Sequence, residues 1–338
     1  MIRKLAVTVI ALCVPAVAEA QQPSQCEAIP RNASTAFLTV QLPSGNRNVF
    51  VGGGVTFRCP DRGITLIADS LESYGDEQRV FMIGNVRYSE PRLAVTSDFL
   101  TYFRSDERVL ASGNVVATLP SGSTLRGPQV EYRREVPRIR TIAELEAVAR
   151  PTVSIVPEPD SAAPTPATPN QDTTFVTGNR IFMRGDSLLY ASGQVDIVRS
   201  DFEAQGDSVF MDSHIEYMQL LRTPAIMGKG ERPFRLTGEL IDLYSANRQL
   251  DRVISRGAAR AVSEDMTLDA DTIQFQVAEQ LLQAAFAWGR RRQAEAVSPA
   301  QRMTADSIAV AMRRTRWLGI ATAMESAVIR CAGETASA

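Results

Sequence analysis

The chain has 338 residues, 44% of them hydrophobic, with 36 Lys+Arg against 38 Asp+Glu, one His and four Cys. A formal net charge of −2 argues against a nucleic-acid binder, which needs a basic face to displace counterions, and a lone histidine rules out histidine-rich metal sites. That residue, His214, sits in the polar stretch Met211-Asp212-Ser213-His214, which reads as a solvated hairpin tip.

Residues 1–20 read as an export signal. Arg3-Lys4 supplies the positive start, Leu5 to Val14 the apolar run, and Ala18-Glu19-Ala20 the small-x-small cleavage site. The run is shorter than the ~20 residues a spanning helix needs. Leu12, ahead of Cys13, stands where a lipoprotein signal has a small residue, so cleavage is expected after Ala20. The mature chain is then expected to be a soluble protein of an oxidising, exported compartment. Cys26 and Cys59 flank the first strand-like segment, as a disulfide or as a free buried pair, and Cys331 is left over.

From there on, two signatures take turns. The first is an apolar lead into a small-Asp-Ser type turn, as in Ile67-Ala68-Asp69-Ser70-Leu71, Thr96-Ser97-Asp98-Phe99, Gln205-Gly206-Asp207-Ser208, Ala270-Asp271-Thr272 and Ala305-Asp306-Ser307. The second is Gly-polar-Val after an apolar run, as in Gly84-Asn85-Val86, Gly113-Asn114-Val115 and Gly193-Gln194-Val195, with Gly257-Ala258-Ala259 as a variant. Weaker copies include Ala149-Arg150-Pro151, Thr177-Gly178-Asn179 and Thr237-Gly238-Glu239. The spacing is 29 residues from Asp69 to Asp98 and again from Gly84 to Gly113. Each signature sits in an alternating run, which predicts strands of period two, with the glycine marking a bulge or a close approach. Counted this way, Gly54 to Asp306 holds about sixteen short antiparallel strands. The fold class is therefore all-β.

The chain divides at 157–173, a Pro-rich insertion that cannot pair in a sheet. Residues 21–156 and 174–310 form the two halves of the repeat, and 311–338 a degenerate tail. The insertion is either an exposed loop in one continuous stack or a linker between two half-length domains. Residues 142–148 and 278–286 have helical spacing, but each falls where the repeat expects strands.

The alternation of Ile67-Ala68-Asp69-Ser70-Leu71 with Ile83-Gly84-Asn85-Val86 resembles the OstA-like, LptA-like family of periplasmic lipopolysaccharide-transport proteins. The resemblance is clearest from Val55 to Val156 and weaker from Phe175 to Val310. It implies an open, twisted antiparallel β-jellyroll with an apolar trough for the acyl chains of lipid A, a periplasmic location, and similarly folded transport partners at the inner and outer membranes. Head-to-tail self-association follows the same logic, because an open sheet has unpaired edges. The chain is too short to add the large barrel of the outer-membrane relative. The Pro-rich insertion and the degenerate C-terminal end depart from the family pattern.

The chemistry of such a carrier is simple. Exposing an acyl chain of a dozen carbons to water costs roughly 10 kcal/mol, at about 0.8 kcal/mol per methylene. Strands that alternate apolar and polar residues give a greasy inside and a wet outside. Candidate lining residues are Phe57, Leu66, Phe81, Ile83, Phe99, Val115, Phe182, Leu188, Val195, Phe202, Val209, Phe210 and Ile273, any one of which, taken singly, reads more readily as plain core. A one-residue slip at a bulge would reverse these faces. Arg79, Arg108 and Arg184 at strand ends read as solvated surface charge or as forks for lipid A phosphates.

No cofactor or metal is expected, and no enzyme. The recurring aspartates Asp69, Asp98, Asp207, Asp271 and Asp306 fit a structural ladder better than a glycosidase pair, although a polysaccharide-degrading β-helix would show a similar ladder. Gly52-Gly53-Gly54 lacks the Lys-Ser/Thr of a nucleotide loop. A structural or adhesive β-repeat protein of the cell envelope is the other alternative.

Overall fold

A computed structural model describes residues 26–156 and 173–313 (apart from 33, 137–138, 230–232, 279–280 and 300), together with 316–318 and 328–331. Side chains are described as far as Ala311. The export segment, the Pro-rich insertion except Thr173, and most of the tail lie outside these residues.

The described residues are built almost wholly of antiparallel strands, with one 3-10 turn at Pro60–Arg62. The first half contains β1 (Glu27–Pro30), β2 (Ala36–Gln41), β3 (Arg47–Cys59), β4 (Ile64–Tyr74), β5 (Arg79–Glu90), β6 (Leu93–Phe103), β7 (Arg108–Thr118), β8 (Thr124–Arg133), β9 (Glu144–Val148) and β10 (Thr152–Ile155). After the insertion come β11 (Thr174–Thr177), β12 (Arg180–Arg184), β13 (Leu188–Val198), β14 (Phe202–Asp212), β15 (Tyr217–Leu221), β16 (Ala225–Gly228), β17 (Phe234–Thr237) and β18 (Leu240–Ala246). The stack continues with β19 (Gln249–Ser263), β20 (Thr267–Ala278), β21 (Leu281–Trp288), β22 (Ala294–Val297), β23 (Gln301–Ala305), β24 (Ser307–Arg313), β25 (Arg316–Leu318) and β26 (Val328–Cys331). Of the two segments with helical spacing, 144–148 is strand β9, and the described residues of 278–286 lie in strands β20 and β21. Between Gly54 and Asp306 the described residues form 21 strands, β3 to β23, more than the sixteen expected, because several strands are broken in two.

Each long strand belongs to two sheets. β5 pairs with β6 from Arg79↔Phe103 to Ile83↔Phe99, slips, and resumes from Val86↔Ser97 to Glu90↔Leu93. The same slip recurs in mid-strand through β3 to β8, in β13 with β14, and in β19 with β20. The slips line up as corners. On one side of them the strand halves make one sheet, on the other side a second, and the two sheets face each other. Tyr88 meets Tyr132 and Phe234 meets Phe275 across the gap, with ring centroids 6.4 and 4.9 Å apart. Pairing runs unbroken from β8 through β9–β12 to β13, so the two halves form one continuous stack.

The corner explains the repeat. Gly84 and Asn85 both take left-handed backbone (φ +79° and +48°), and a Cβ on Gly84 would lie 2.5 Å from Asp69 Oδ2. Asn85 Nδ2 donates to that same oxygen at 2.7 Å. One repeat later, Gly113, Asn114 and Asp98 make the same unit, with Asn114 donating to Asp98 at 2.8 Å. The two signatures are thus halves of one joint, supplied by neighbouring strands. The expected Asp-Ser turn is therefore a mid-strand corner, because the aspartate is held beneath the next strand's glycine.

The corner also switches faces. In β6 the inward residues are Leu93 and Val95 before Asp98, then Leu100 and Tyr102 after it, a change from odd to even numbers. β4 and β14 switch at Asp69 and Asp207 in the same way.

Candidate functional site: the interior between the sheets and its mouth

The inward rows form one apolar interior from Val51 to Val310. Of the thirteen candidate lining residues, Phe57, Leu66, Val115, Val195, Phe202, Val209 and Ile273 are buried there. The other six are not. Phe99 and Phe210 follow a face-switching corner, which sends them outward and brings Leu100 and Val209 in. Phe81, Ile83, Phe182 and Leu188 belong to outer rows, opposite in parity to the buried Val80, Met82, Ile181, Met183 and Leu189. Large side chains mark both faces of this protein. Outside, Phe81 packs edge-on against Tyr74, and Phe182, Tyr190, Phe210, Tyr217 and Tyr244 form a ladder with neighbouring centroids 5.0–6.2 Å apart.

The interior is largely filled by the protein's own side chains. Tyr88, Tyr102, Phe202 and Phe275 are fully buried in it, so the trough expected to stand hollow is packed over most of its length.

The sheets are joined at the corners and meet again at their rims, where the hairpin turns lie. In the first half the rims are clasped by charge. Arg62, in the turn before β4, bonds Glu107 on the opposite rim. Glu90, at the end of β5, accepts from Arg134 Nε at 2.5 Å, and Arg134 Nη1 reaches Glu107 at 2.9 Å. Arg92 pairs with Glu135 across the same line. The hydroxyls of Tyr88 and Tyr132 donate to Glu90, and that of Tyr102 to Glu107. The Glu90 side chain is only 3% exposed, so its charge is compensated almost wholly by these partners. Burial, followed by hydrogen bonding to Glu107, pushes the Tyr102 hydroxyl up to about 12; burial and Glu90 push Tyr88 and Tyr132 upward. Arg134 is held protonated: burial opposes its charge, but Glu90, Tyr88 and Glu107 together outweigh it. This clasp carries no repeat signature, because its members lie in turns and strand ends.

In the second half the mouth stands apart. A cavity of about 400 Å³ opens between the ends of β10, β11 and β14 on one rim and the turns around 186–187, 213–216 and 247–248 on the other. Phe202, Met211, Met218 and Leu243 form its apolar floor. Arg199 spans the gap with a 3.3 Å bond from Nη1 to Ser245 Oγ, while its remaining donors hold Asp201. His214 is exposed at this rim, where its backbone N–H bonds Asp212. The Pro-rich insertion leaves from and returns to residues lining this cavity, Val156 and Thr174.

The remaining residues singled out by sequence have local partners. Cys26 and Cys59 form a disulfide that ties the chain ahead of β1 to the end of β3. Arg79, Arg108 and Arg184 pair with Glu77, with Asp106 and Glu131, and with Glu144; Arg108 also lies 3.9 Å above the Phe103 ring. Asp207 bonds Arg222, Asp271 the backbone N–H groups of Arg290 and Arg291, and Asp306 Gln293. The aspartates therefore serve corners, one strand after another, rather than converging as a catalytic pair would.

At the N-terminal end, β2 pairs only with β3 among the described residues, and every residue of β2 is exposed. Phe37, Leu38 and Val40 present apolar side chains on this free edge.

No protein-family model matches the chain, and no curated protein matches it.

Proposed function

We propose that this protein is a non-enzymatic periplasmic carrier that shields lipopolysaccharide acyl chains between its two sheets on the way to the outer membrane. The observation that carries the reading is the single apolar interior from Val51 to Val310, bounded by sheets that are continuous at the corners and bridged at the rims by side chains. A closed barrel would need broken backbone hydrogen bonds to admit a chain. Here, parting the rims costs only side-chain contacts.

Loading needs that parting, because the cavity of about 400 Å³ lies at the small end of the roughly 300–1,000 Å³ of small-molecule pockets. A lipid with several acyl chains must displace the packed residues, offset by about 0.8 kcal/mol for each methylene it removes from water. The free, apolar edge of β2 supports strand-on-strand docking to similarly folded partners at either membrane, or to a second copy head to tail.

The filled interior favours one other reading, a structural β-repeat protein of the cell envelope. Mass spectrometry of the protein purified from its host's envelope separates them: co-eluting glycolipid supports the carrier, and a lipid-free protein the scaffold. Cleavage of envelope polysaccharide would replace both with an enzyme.

A further inference from the structure

The outer face of the sheet that runs through β18, β19, β20 and β21 changes character toward β21. In the aromatic ladder each ring leans on a neighbour, whereas Phe286 and Trp288 on β21 have no ring partner among the described residues. They border a shallow cavity of about 360 Å³ together with Gln274 and Gln276 of β20 and Ser307 of β24. The register sets Gln274 opposite Phe286, and Trp288 opposite Ser307. The side chains of Gln274, Gln276 and Ser307 make no hydrogen bond to a described residue, and neither does the indole N–H of Trp288.

Charge frames the cavity. Arg252 of β19 lies directly opposite Gln276, with its guanidinium 4.3 Å above the Tyr244 ring. No carboxylate pairs with it among the described residues, and its Nε is buried without an acceptor. The turn that follows Trp288 exposes Arg290, Arg291 and Arg292 in succession, and among the described residues only Arg292 has an ion pair, with Asp271. The neighbouring carboxylates are engaged: Asp242 by Arg256, Tyr217 and Gln219, Asp271 by the turn's backbone N–H groups, and Asp306 by Gln293. Asp251 is exposed beside Arg252 but forms no ion pair with it. This face therefore holds guanidiniums in want of a counter-charge, on a chain whose net charge is −2.

We propose that this face binds an acidic oligosaccharide of the uronic-acid type, with one sugar ring in the cavity against Phe286 and Trp288 and a carboxylate on Arg252. At about 30 Å³ for a group the size of a water molecule, the cavity holds roughly a dozen groups, the size of a single sugar ring. The C–H face of a pyranose carries slight positive charge and settles on the negative face of an aromatic ring. Amides and a hydroxyl, which both donate and accept, match the hydroxyls around the sugar's edge. A guanidinium forks onto a carboxylate and supplies the charge match. From Tyr244 to Trp288 is three strand spacings, about 14 Å, so the ligand is a short chain of sugars. A nucleic-acid strand would use the same rings and arginines, but it needs a basic track along its whole backbone and here meets amides between them. The site lies outside the sheets and does not depend on what the interior holds.

The test titrates the purified protein calorimetrically with trigalacturonic acid, then with maltotriose as a neutral probe and a short oligothymidylate as a nucleic-acid probe. The site predicts saturable binding of trigalacturonic acid that weakens with added salt, and at least fivefold weaker binding of either other probe. Trp288→Ala should weaken binding of the acidic probe tenfold or more, with the melting temperature within a few degrees. Arg252→Gln should weaken it fivefold or more while leaving maltotriose unaffected. If Trp288→Ala does not fold, Gln276→Ala tests the same cavity from its other wall. Absence of saturable trigalacturonic acid binding overturns the site. Equal affinity for maltotriose, or no effect of Arg252→Gln, overturns the acidic assignment, and equally tight oligothymidylate overturns the glycan. Unchanged affinity in both Trp288→Ala and Gln276→Ala overturns the location.

Discussion

The stretch up to Ile155 and the stretch from Thr174 onward use the same bent strands, yet differ at corner and mouth. From β3 to β8 every strand runs unbroken through its corner, and the Asp69 and Asp98 joints fix neighbouring strands in one geometry. Beyond them, unbroken strands alternate with broken pairs such as β15 and β16, interrupted at Arg222-Thr223 with φ of +59° and +55°. At Gly193 and Gly257 the partner beneath the glycine is Asn179 and Glu239 instead of aspartate. Uniform corners accompany rims close enough to be clasped by buried charge, whereas mixed corners accompany a gap. In this fold, regularity of the joint and closure of the mouth go together.

The clasp is the sharpest place to break that contrast. Removing one partner from a buried ion pair leaves the other uncompensated, so Glu90→Gln or Arg134→Ala should destabilise the protein by about 3–5 kcal/mol in urea unfolding. Ser245→Ala at the second mouth, which removes only the neutral partner of Arg199 across the gap, should cost clearly less. Equal losses at both mouths would erase the distinction between them.

The Cys26–Cys59 disulfide staples the start of the first half, and replacing both cysteines by serine should lower stability by about 2–4 kcal/mol. Reduction of the unmodified protein should reproduce that loss in a thermal melt. Gly113→Ala tests the corner itself: a methyl group at φ +76° and against Asp98 should cost about 1–3 kcal/mol. Asp98→Ala should soften the effect if the clash is with that side chain.

Alkaline pH gives a smaller, graded test. The Tyr102 hydroxyl is raised from 10.0 to about 12, so its neutral form stabilises the folded state fully below pH 10, and that contribution is lost as the pH rises through 12. Unfolding midpoints followed from pH 9 to 12 should fall, and Tyr102→Phe should flatten the fall. A profile that rises with pH would contradict the clasp's arrangement. The smallest effect belongs to the edge: Leu38→Lys on β2 should leave stability within about 0.5 kcal/mol while reducing self-association in sedimentation.

Much of this was legible in the sequence, for a physical reason. A corner that needs two left-handed residues above a carboxylate can be read as Gly-Asn and Asp recurring 29 residues apart, so the all-β repeat and the bulges were visible. What the repeat did not reveal was that Asp69 and Gly84 belong to one joint, because pairing between strands leaves no mark within either. That hidden joint switches the faces, which is why Phe99 and Phe210 were expected inside and lie outside. The Glu90–Arg134 clasp was invisible because ordinary surface-type residues become buried only when two rims meet.

The most direct test of the account is photo-crosslinking from single sites to lipopolysaccharide in intact cells. A crosslinking phenylalanine analogue at Leu66, Phe202 or Val209 should capture lipopolysaccharide, while the same analogue at the outward Phe81 or Phe99 should not. Capture from the outer positions alone, or from none, would contradict transport between the sheets.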